Sequence, residues 1–251
     1  MYKALITGAS SGIGRELANI MAEAGHDLVL VARSKDELLK VKEEVTKFFD
    51  VKVSIYTIDL SNPGSAKKLY LETKKEGIKI LVNNAGVGLK GDFFSDDPIR
   101  TTMMAHLNMI SLMELCQLFG NDFVRQDQGK ILNIGSITAF FPGPKQPTYY
   151  ATKSFVRSLS RALAYNLRKS NVTVTVLHPG ITKTQFFKSS NVSGFKGGAS
   201  AKSVALLGYK SMMSGKVEVT HGLWNKLLTN TFARFVPYRY QTYIVDKASE
   251  V

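Results

Sequence analysis

Residues 3–14 read Lys3-Ala4-Leu5-Ile6-Thr7-Gly8-Ala9-Ser10-Ser11-Gly12-Ile13-Gly14. A short apolar run passes into a glycine-rich turn. Ile13, Leu17, Ile20 and Met21 then recur at helical spacing. Strand, glycine turn and helix in that order let a backbone approach a pyrophosphate. The glycines remove side chains from the approach, and the helix N-terminus offers free N–H groups with partial positive charge. The spacing is Gly8-x-x-x-Gly12-x-Gly14 rather than Gly-x-Gly-x-x-Gly, so alone it also fits a bare turn before a core helix. Asn83-Asn84-Ala85-Gly86, which comes after a fourth apolar run, strengthens the dinucleotide-binding reading.

Outward from this segment the pattern alternates. Apolar runs at 3–7, 28–32, 52–57, 79–83, 130–135 and 172–178 read as strands. Helical patterns lie near 13–25, 35–49, 62–76, 98–126 and 148–170. Such alternation predicts a parallel sheet covered on both faces. With 251 residues and no repeat, low-complexity tract or linker, residues 1–251 read as one α/β domain with a substantial core. No apolar run reaches the roughly 20 residues that span a bilayer. A strand starting at residue 3 leaves no room for a leader peptide. Cys116 is the single cysteine, and Leu112, Leu115, Leu118 and Phe119 around it suggest a buried, inert thiol without a disulfide. The expected location is the cytoplasm.

Tyr149 and Lys153 stand at i and i+4 on a predicted helix and share a face, thirteen residues beyond Ser136. A free phenol has a pKa of about 10. Acid–base work near neutrality asks for a value lower by roughly 2–3 units, or about 3–4 kcal/mol, and a nearby ammonium favours the phenolate. Tyr150 is the rival, but it points about 100° further round the helix and has Ser154 at its i+4 position. Taken singly, Tyr149 reads as a half-buried core aromatic. Ser136 and Lys153 at their spacing make it a proton carrier for a carbonyl oxygen. A proton carrier and a dinucleotide hydride carrier in one chain imply a carbonyl–alcohol oxidoreductase.

With these motifs in order, the chain resembles the classical short-chain dehydrogenase/reductase family from residue 3 to about residue 190. Thr7-Gly8-Ala9-Ser10-Ser11-Gly12-Ile13-Gly14 resembles its cofactor motif and Asp59-Leu60 its adenine contact. Asn83-Asn84-Ala85-Gly86 is similar to the segment that steadies the central sheet beside the cofactor. Asn108, Ser136, Tyr149 and Lys153 match its catalytic tetrad, and Pro179-Gly180 followed by Thr184 resembles its nicotinamide-side loop. The resemblance implies a single-domain Rossmann-type doubly wound parallel sheet of about seven strands. Their order would be 3-2-1-4-5-6-7, with the last strand near 216–220 and the site at the carboxyl ends. It implies that Lys153 holds the nicotinamide ribose, that Ser136 hydrogen-bonds the reacting oxygen, and that Asn108 anchors a proton-relay water.

The second strand ends Leu30-Val31-Ala32-Arg33-Ser34. An NAD-selective site places an acid there for the ribose 2′-hydroxyl. Ala32 occupies that position, with Arg33 next. A guanidinium binds a 2′-phosphate with paired hydrogen bonds, and Ser10, Ser11 and Ser34 can add hydroxyl contacts. The alternative is a solvated surface cation; the missing acid favours NADP(H).

Charge is lopsided. The chain carries 33 Lys+Arg against 20 Asp+Glu, a net +13, and nearly all of the excess lies beyond residue 150. No carboxylate occurs between Asp127 and Glu218. Lys183, Lys188, Lys196 and Lys202 surround the expected substrate-loop region, about 185–205. A positive field there would attract an anionic substrate such as a coenzyme A or carrier-protein thioester, and a generally basic solvated surface is the equal alternative. Nucleic acid is not expected, for want of a binding motif or stacking platform. Phe140, Phe141, Phe186 and Phe187, with Thr138 and Gln185, are candidate walls of an apolar pocket or members of the core.

Residues 221–251 form an atypical C-terminal extension. Trp224, Leu227, Leu228, Phe232 and Phe235 fall on one helical stripe flanked by Lys226 and Arg234 and ended by Pro237. Packing over the substrate cleft or against a second subunit is expected, and contact with an anionic membrane surface is the minority reading. A homodimer is expected, with a tetramer as the alternative. The leading function is an NADP(H)-dependent reductase of an apolar ketone, aldehyde or 3-oxoacyl substrate. The alternatives are a nicotinamide-binding regulatory or scaffold protein, and a basic membrane-surface protein with vestigial activity.

Overall fold

Seven strands, β1 (Lys3–Thr7), β2 (Asp27–Ala32), β3 (Val53–Thr57), β4 (Ile78–Asn83), β5 (Gly129–Ile134), β6 (Val172–His178) and β9 (Glu218–Thr220), pair in parallel in the order β3-β2-β1-β4-β5-β6-β9. Two short strands, β7 (Thr182–Lys183) and β8 (Ala199–Ser200), form a separate ladder above the sheet's carboxyl edge. The computed structural model describes residues 1–89, 91, 93–184, 186 and 197–248. The expected strand order and the seventh strand are both present.

Successive side chains of a strand point to opposite faces, so each strand feeds two cores. Ala4, Ile6, Leu28, Leu30, Ile80, Val82, Leu132, Ile134 and Leu177 face one layer. That layer is covered by α1 (Gly12–Glu23), α2 (Lys35–Phe48) and α7 (Ala201–Met213), through side chains such as Leu17, Met21, Leu38, Val204 and Met212. Leu5, Val29, Val31, Leu81, Ile131, Val174 and Val176 face the other layer. Its cover is α3 (Ser65–Thr73), α5 (Leu112–Arg125) and α6 (Pro147–Asn166), through Leu69, Leu115, Phe119, Phe123 and Val156. Burial on both faces is why these strands read as continuous apolar runs.

The long helical pattern near 98–126 is one rod of three parts: α4 (Pro98–Ala105), a π-helical turn (His106–Ser111) and α5. Asp97 caps it by accepting a hydrogen bond from the Ile99 N–H at 2.9 Å, with Pro98 at the first turn. The sequence pattern does not show the π turn, which holds Asn108. Nor does it show α7, whose evenly mixed apolar surface lacks a clean stripe.

The extension departs from its expected form. It folds as α8 (Leu223–Leu227), a π-helical turn (Leu228–Phe232), α9 (Ala233–Phe235) and, beyond Pro237, α10 (Tyr238–Ala248). The π turn adds a residue to the helix and rotates the chain beyond it. The expected single stripe is split. Leu228 and Phe232 turn inward, whereas Trp224, Leu227 and Phe235 face solvent.

Candidate active site

The glycine turn is fixed by what it touches. Gly8 and Gly12 adopt φ of 63° and 55°, in the left-handed region that suits glycine. A methyl on Gly8 would lie 2.9 Å from the Ala85 Cα, and one on Gly14 would strike the Gly8 carbonyl oxygen. The turn is tied to the segment after β4. Asn84 Nδ2 donates to the Thr7 and Gly8 carbonyls, both at 3.0 Å, and the Asn84 and Ala85 N–H groups donate to Thr7 Oγ1 at 3.0 Å. Asn83 Nδ2 reaches across the sheet to Asn133 Oδ1 at 2.9 Å. Ser11 caps α1 with no side-chain hydrogen bond, so its hydroxyl and the first N–H groups of the helix are open to an anion.

Beyond β2 stand other residues expected to contact a cofactor. Arg33 is exposed, and no carboxylate among the described residues pairs with it. Ser34 caps α2 by accepting from the Glu37 N–H at 3.4 Å. Asp59 accepts from the Ser61 N–H and Oγ at 2.9 and 2.7 Å, which fixes the turn after β3. Leu60 is buried in the core, and its carbonyl accepts from Ser111 Oγ at 2.6 Å. Across from the glycine turn, Thr184 would lie 3.0 Å from a methyl on Gly12. The Pro179 carbonyl accepts from the Ile137 N–H at 3.0 Å, and Asn225 of α8 packs against Gly180. That last contact joins the C-terminal extension to the site.

Asn108, Ser136, Tyr149 and Lys153 come from the π turn, the end of β5 and α6, and all four are buried. Asn108 clamps the loop after β4: its Oδ1 accepts from the Val87 N–H at 3.0 Å, and its Nδ2 donates to the Val87 carbonyl at 2.9 Å and to Thr152 Oγ1 at 3.2 Å. Ser136 Oγ accepts from the Thr138 N–H at 3.1 Å, and the Ser136 hydroxyl is near enough to the Tyr149 phenol to favour its anion. Lys153 Nζ donates to the Ile134 carbonyl at 2.9 Å and lies 5.8 Å from the Tyr149 ring centroid. Tyr150 is turned away, packed on Gly143 in a groove of roughly 540 Å³ with Phe140, Phe141, Pro142 and Pro144.

Burial governs both ionisable groups beside Ser136. Burial pushes the Tyr149 phenol up to about 12, outweighing the nearby Ser136 and Thr138 hydroxyls. Burial likewise brings the Lys153 ammonium down to about 8. The side chains around Tyr149 thus keep it as the protonated acid. The reason is desolvation: both groups lie in the interior, where charge is disfavoured. Cys116 is buried with its thiol pushed up to about 12, as befits an inert side chain.

Behind Ser136 sits a buried polar chain. His178 has no exposed surface; its Nδ1 lies 3.0 Å from the Ser136 carbonyl oxygen and its Nε2 lies 2.9 Å from Glu218 Oε1. Arg157 Nε donates to the same oxygen at 2.6 Å, and its guanidinium lies 4.1 Å from the Phe140 ring centroid. Burial raises the Glu218 carboxyl, but hydrogen bonds and charges from His178 and Arg157 outweigh it and hold it at about 2. Phe140 is therefore wedged between Arg157 and His178, while Phe141 is buried against Phe232. Of the four phenylalanines, Phe186 is the one seen beside Tyr149, at 5.8 Å between ring centroids. Gln185, Phe187, Lys188 and Lys196 lie outside the described residues. No cluster of metal-binding side chains occurs among the described residues.

The model of the short chain dehydrogenase family matches residues 2–193. Among curated proteins, the human very-long-chain 3-oxoacyl-CoA reductase is 32% identical over 189 residues, covering 74% of this chain and 61% of that protein. The human 17-beta-hydroxysteroid dehydrogenase type 3 is 30% identical over 192 residues, covering 76% and 62%. The chain thus spans about three fifths of the length of these relatives. Among solved structures, a short-chain dehydrogenase from Sphingobium yanoikuyae in complex with NADPH superposes with a TM-score of 0.85 at 29% identity, covering 90% of this chain and 92% of that one.

Proposed function

The chain belongs to the short-chain dehydrogenase family, and on that premise we propose that it is an NADP(H)-dependent oxidoreductase that reduces an apolar ketone, aldehyde or 3-oxoacyl group to the corresponding alcohol. The observation that carries the reading is the buried cluster of Ser136, Tyr149 and Lys153 at the carboxyl edge of the sheet. NADPH, when bound, supplies the hydride. Ser136 Oγ and the Tyr149 hydroxyl hold the carbonyl oxygen, and Tyr149 gives that oxygen its proton. A phenol pushed up by burial is suited to keeping the proton until the oxygen becomes basic. Lys153 and Tyr149 line the ribose side, and Asn108 holds the loop that carries Val87 against α6.

The residues present fit the cofactor. Gly8, Ser10, Ser11, Gly12, Ile13 and Gly14 would hold the pyrophosphate, where the α1 cap leaves donors open. Arg33 and Ser34 would take the 2′-phosphate, and the exposed guanidinium without an acidic partner supports NADP(H) over NAD(H). Asp59 and Leu60 would border the adenine; Asn84, Ala85 and Gly86 would lie under the ribose; Pro179, Gly180 and Thr184 would close over the nicotinamide. The similarity to a 3-oxoacyl-CoA reductase supports an acyl substrate. So do Lys183 and Lys202, which the β7–β8 ladder brings to one end. The buried lone thiol supports a reducing, cytoplasmic setting. NADPH oxidation measured over a panel of carbonyl compounds that includes acetoacetyl-CoA tests the proposal. Turnover of an apolar ketone or a thioester is the expected result, and no turnover of any carbonyl overturns it.

A further inference from the structure

The chain beyond β9 has two unlike sides. The inner side is fastened to the body. Phe232 packs on Phe141 at 5.8 Å between ring centroids, Asn225 packs on Gly180, and Asp246 pairs with Lys145 at 3.5 Å; within the segment, Gln241 Nε2 ties α10 back to the Ala233 and Val236 carbonyls at 3.0 and 2.6 Å. The outer side is apolar and bare. Leu223 and Trp224 are each 83% exposed, Phe235 is 75% exposed, and Leu227 stands beside them. On α10, Tyr240, Tyr243 and Ile244 repeat the pattern at helical spacing. A cluster of large apolar side chains held outward by a fastened inner face marks a contact surface.

The charge of the same segment says which contact. Between residues 221 and 248 the cations are Lys226, Arg234, Arg239 and Lys247, and the one acid is Asp246. Asp246 is taken by Lys145 at 3.5 Å, and the nearest acid upstream, Glu218, is taken by Arg157, Arg161 and His178. In a symmetric dimer built on this face, like cations would meet, and no acid of the described segment is left free to pair with them. An anionic bilayer supplies both complements. Its acyl boundary accepts Leu, Trp and Phe side chains, and its headgroups draw in Lys and Arg. No helix among the described residues is long and apolar enough to cross a membrane, so the contact is with the surface.

We propose that α8, the π turn, α9 and α10 dock this protein on an anionic phospholipid surface, with Leu223, Trp224, Leu227 and Phe235 inserted among the headgroups. Because Asn225 of the same segment packs on Gly180, the docked face adjoins the candidate active site. An apolar substrate dissolved in the bilayer would then reach the site from that side.

Trp224 is the only tryptophan, so its fluorescence reads this face directly. The full chain is mixed with vesicles of phosphatidylcholine, or of phosphatidylcholine with phosphatidylglycerol, and both Trp224 emission and co-sedimentation are followed. The anionic vesicles should shift the emission to the blue and sediment the protein, and about 0.5 M salt should weaken binding at least tenfold. Leu227→Ser with Phe235→Ser, or Lys226→Glu with Arg234→Glu, should each cost at least tenfold in vesicle binding without loss of NADPH turnover. Three results overturn the proposal: no emission change with anionic vesicles; equal binding to neutral vesicles; or a blue shift that grows with protein concentration in the absence of lipid and tracks a dimer in sedimentation. The last would assign the face to a second copy of the chain.

Discussion

The carboxyl edge of the sheet and the C-terminal helices handle side chains in opposite ways. At the edge, polar groups are buried and joined: Asn108 to Val87 and Thr152, Lys153 to Ile134, His178 to Ser136 and Glu218. In the tail, large apolar groups are exposed and have no cover. A buried polar group without a partner costs roughly 1–3 kcal/mol, which favours joining such groups to one another. Exposed apolar groups cost little in the free chain and gain when a surface covers them. The first region is therefore organised to hold chemistry in one geometry, and the second to meet a partner.

Substitutions can break this contrast, and the largest effect should come from the edge. Tyr149→Phe removes the proton donor and should lower kcat for carbonyl reduction by roughly 10²–10⁴-fold, with NADPH affinity almost unchanged. Tyr150→Phe, in the groove beside Gly143, should be mild. Steady-state kinetics and cofactor titration of both variants decide it, and an inactive Tyr150→Phe would mean that the wrong phenol has been chosen.

The chain behind Ser136 should be next. Glu218 carries a carboxyl held down at about 2 from an ordinary value near 4.5. A depressed carboxyl stabilises the fold above its unfolded pKa and loses that contribution as pH falls through the folded value. Glu218→Gln should therefore cost about 2–3 kcal/mol at pH 7. The gap to the parent protein should narrow between pH 4.5 and pH 2. Denaturant unfolding across that range reads it; a gap independent of pH would show that the ion pairs with Arg157 and His178 contribute nothing.

Arg33→Ala should act on binding alone. Loss of one charged hydrogen-bonding partner is worth roughly 1.5–3 kcal/mol, so NADPH affinity should fall by about one to two orders of magnitude and NADH affinity hardly at all. Isothermal titration with both cofactors tests this, and equal weakening would remove Arg33 from the 2′-phosphate site. The smallest effect belongs to the tail. Leu227→Ser with Phe235→Ser should change stability by less than about 0.5 kcal/mol, because the side chains lost touch mainly water. A loss of several kcal/mol in thermal unfolding would mean that this face is already covered in solution.

Much of the edge was legible because its signals are local. Gly8, Gly12 and Gly14 stand in the sequence where the turn needs left-handed backbone or close approach. Tyr149 and Lys153 share a helix face at any i, i+4 spacing. Doubly buried strands announce themselves as apolar runs, and their order came from the resemblance and right-handed crossovers. What escaped was non-local. Nothing in His106–Ser111 marks a π turn, because the turn answers to how Asn108 meets Val87 and Thr152. Phe140 and Phe141 read equally as pocket or core until Arg157, His178 and Phe232 were seen around them.

The sequence by itself determined the alternation of strands and helices, the anion-binding turn and the residue types of the proton-carrying cluster. Each depends on backbone preferences and spacings of a few residues. The tertiary structure alone decided the rest. It made burial the largest influence of the side chains on the Tyr149 phenol, since desolvation depends on everything packed around it. It joined Glu218 to Ser136 through His178, across 82 positions of chain. It also split the apolar stripe of the tail into a half turned toward the body and a bare half, because which side of a helix meets the body is set by how the whole segment is docked.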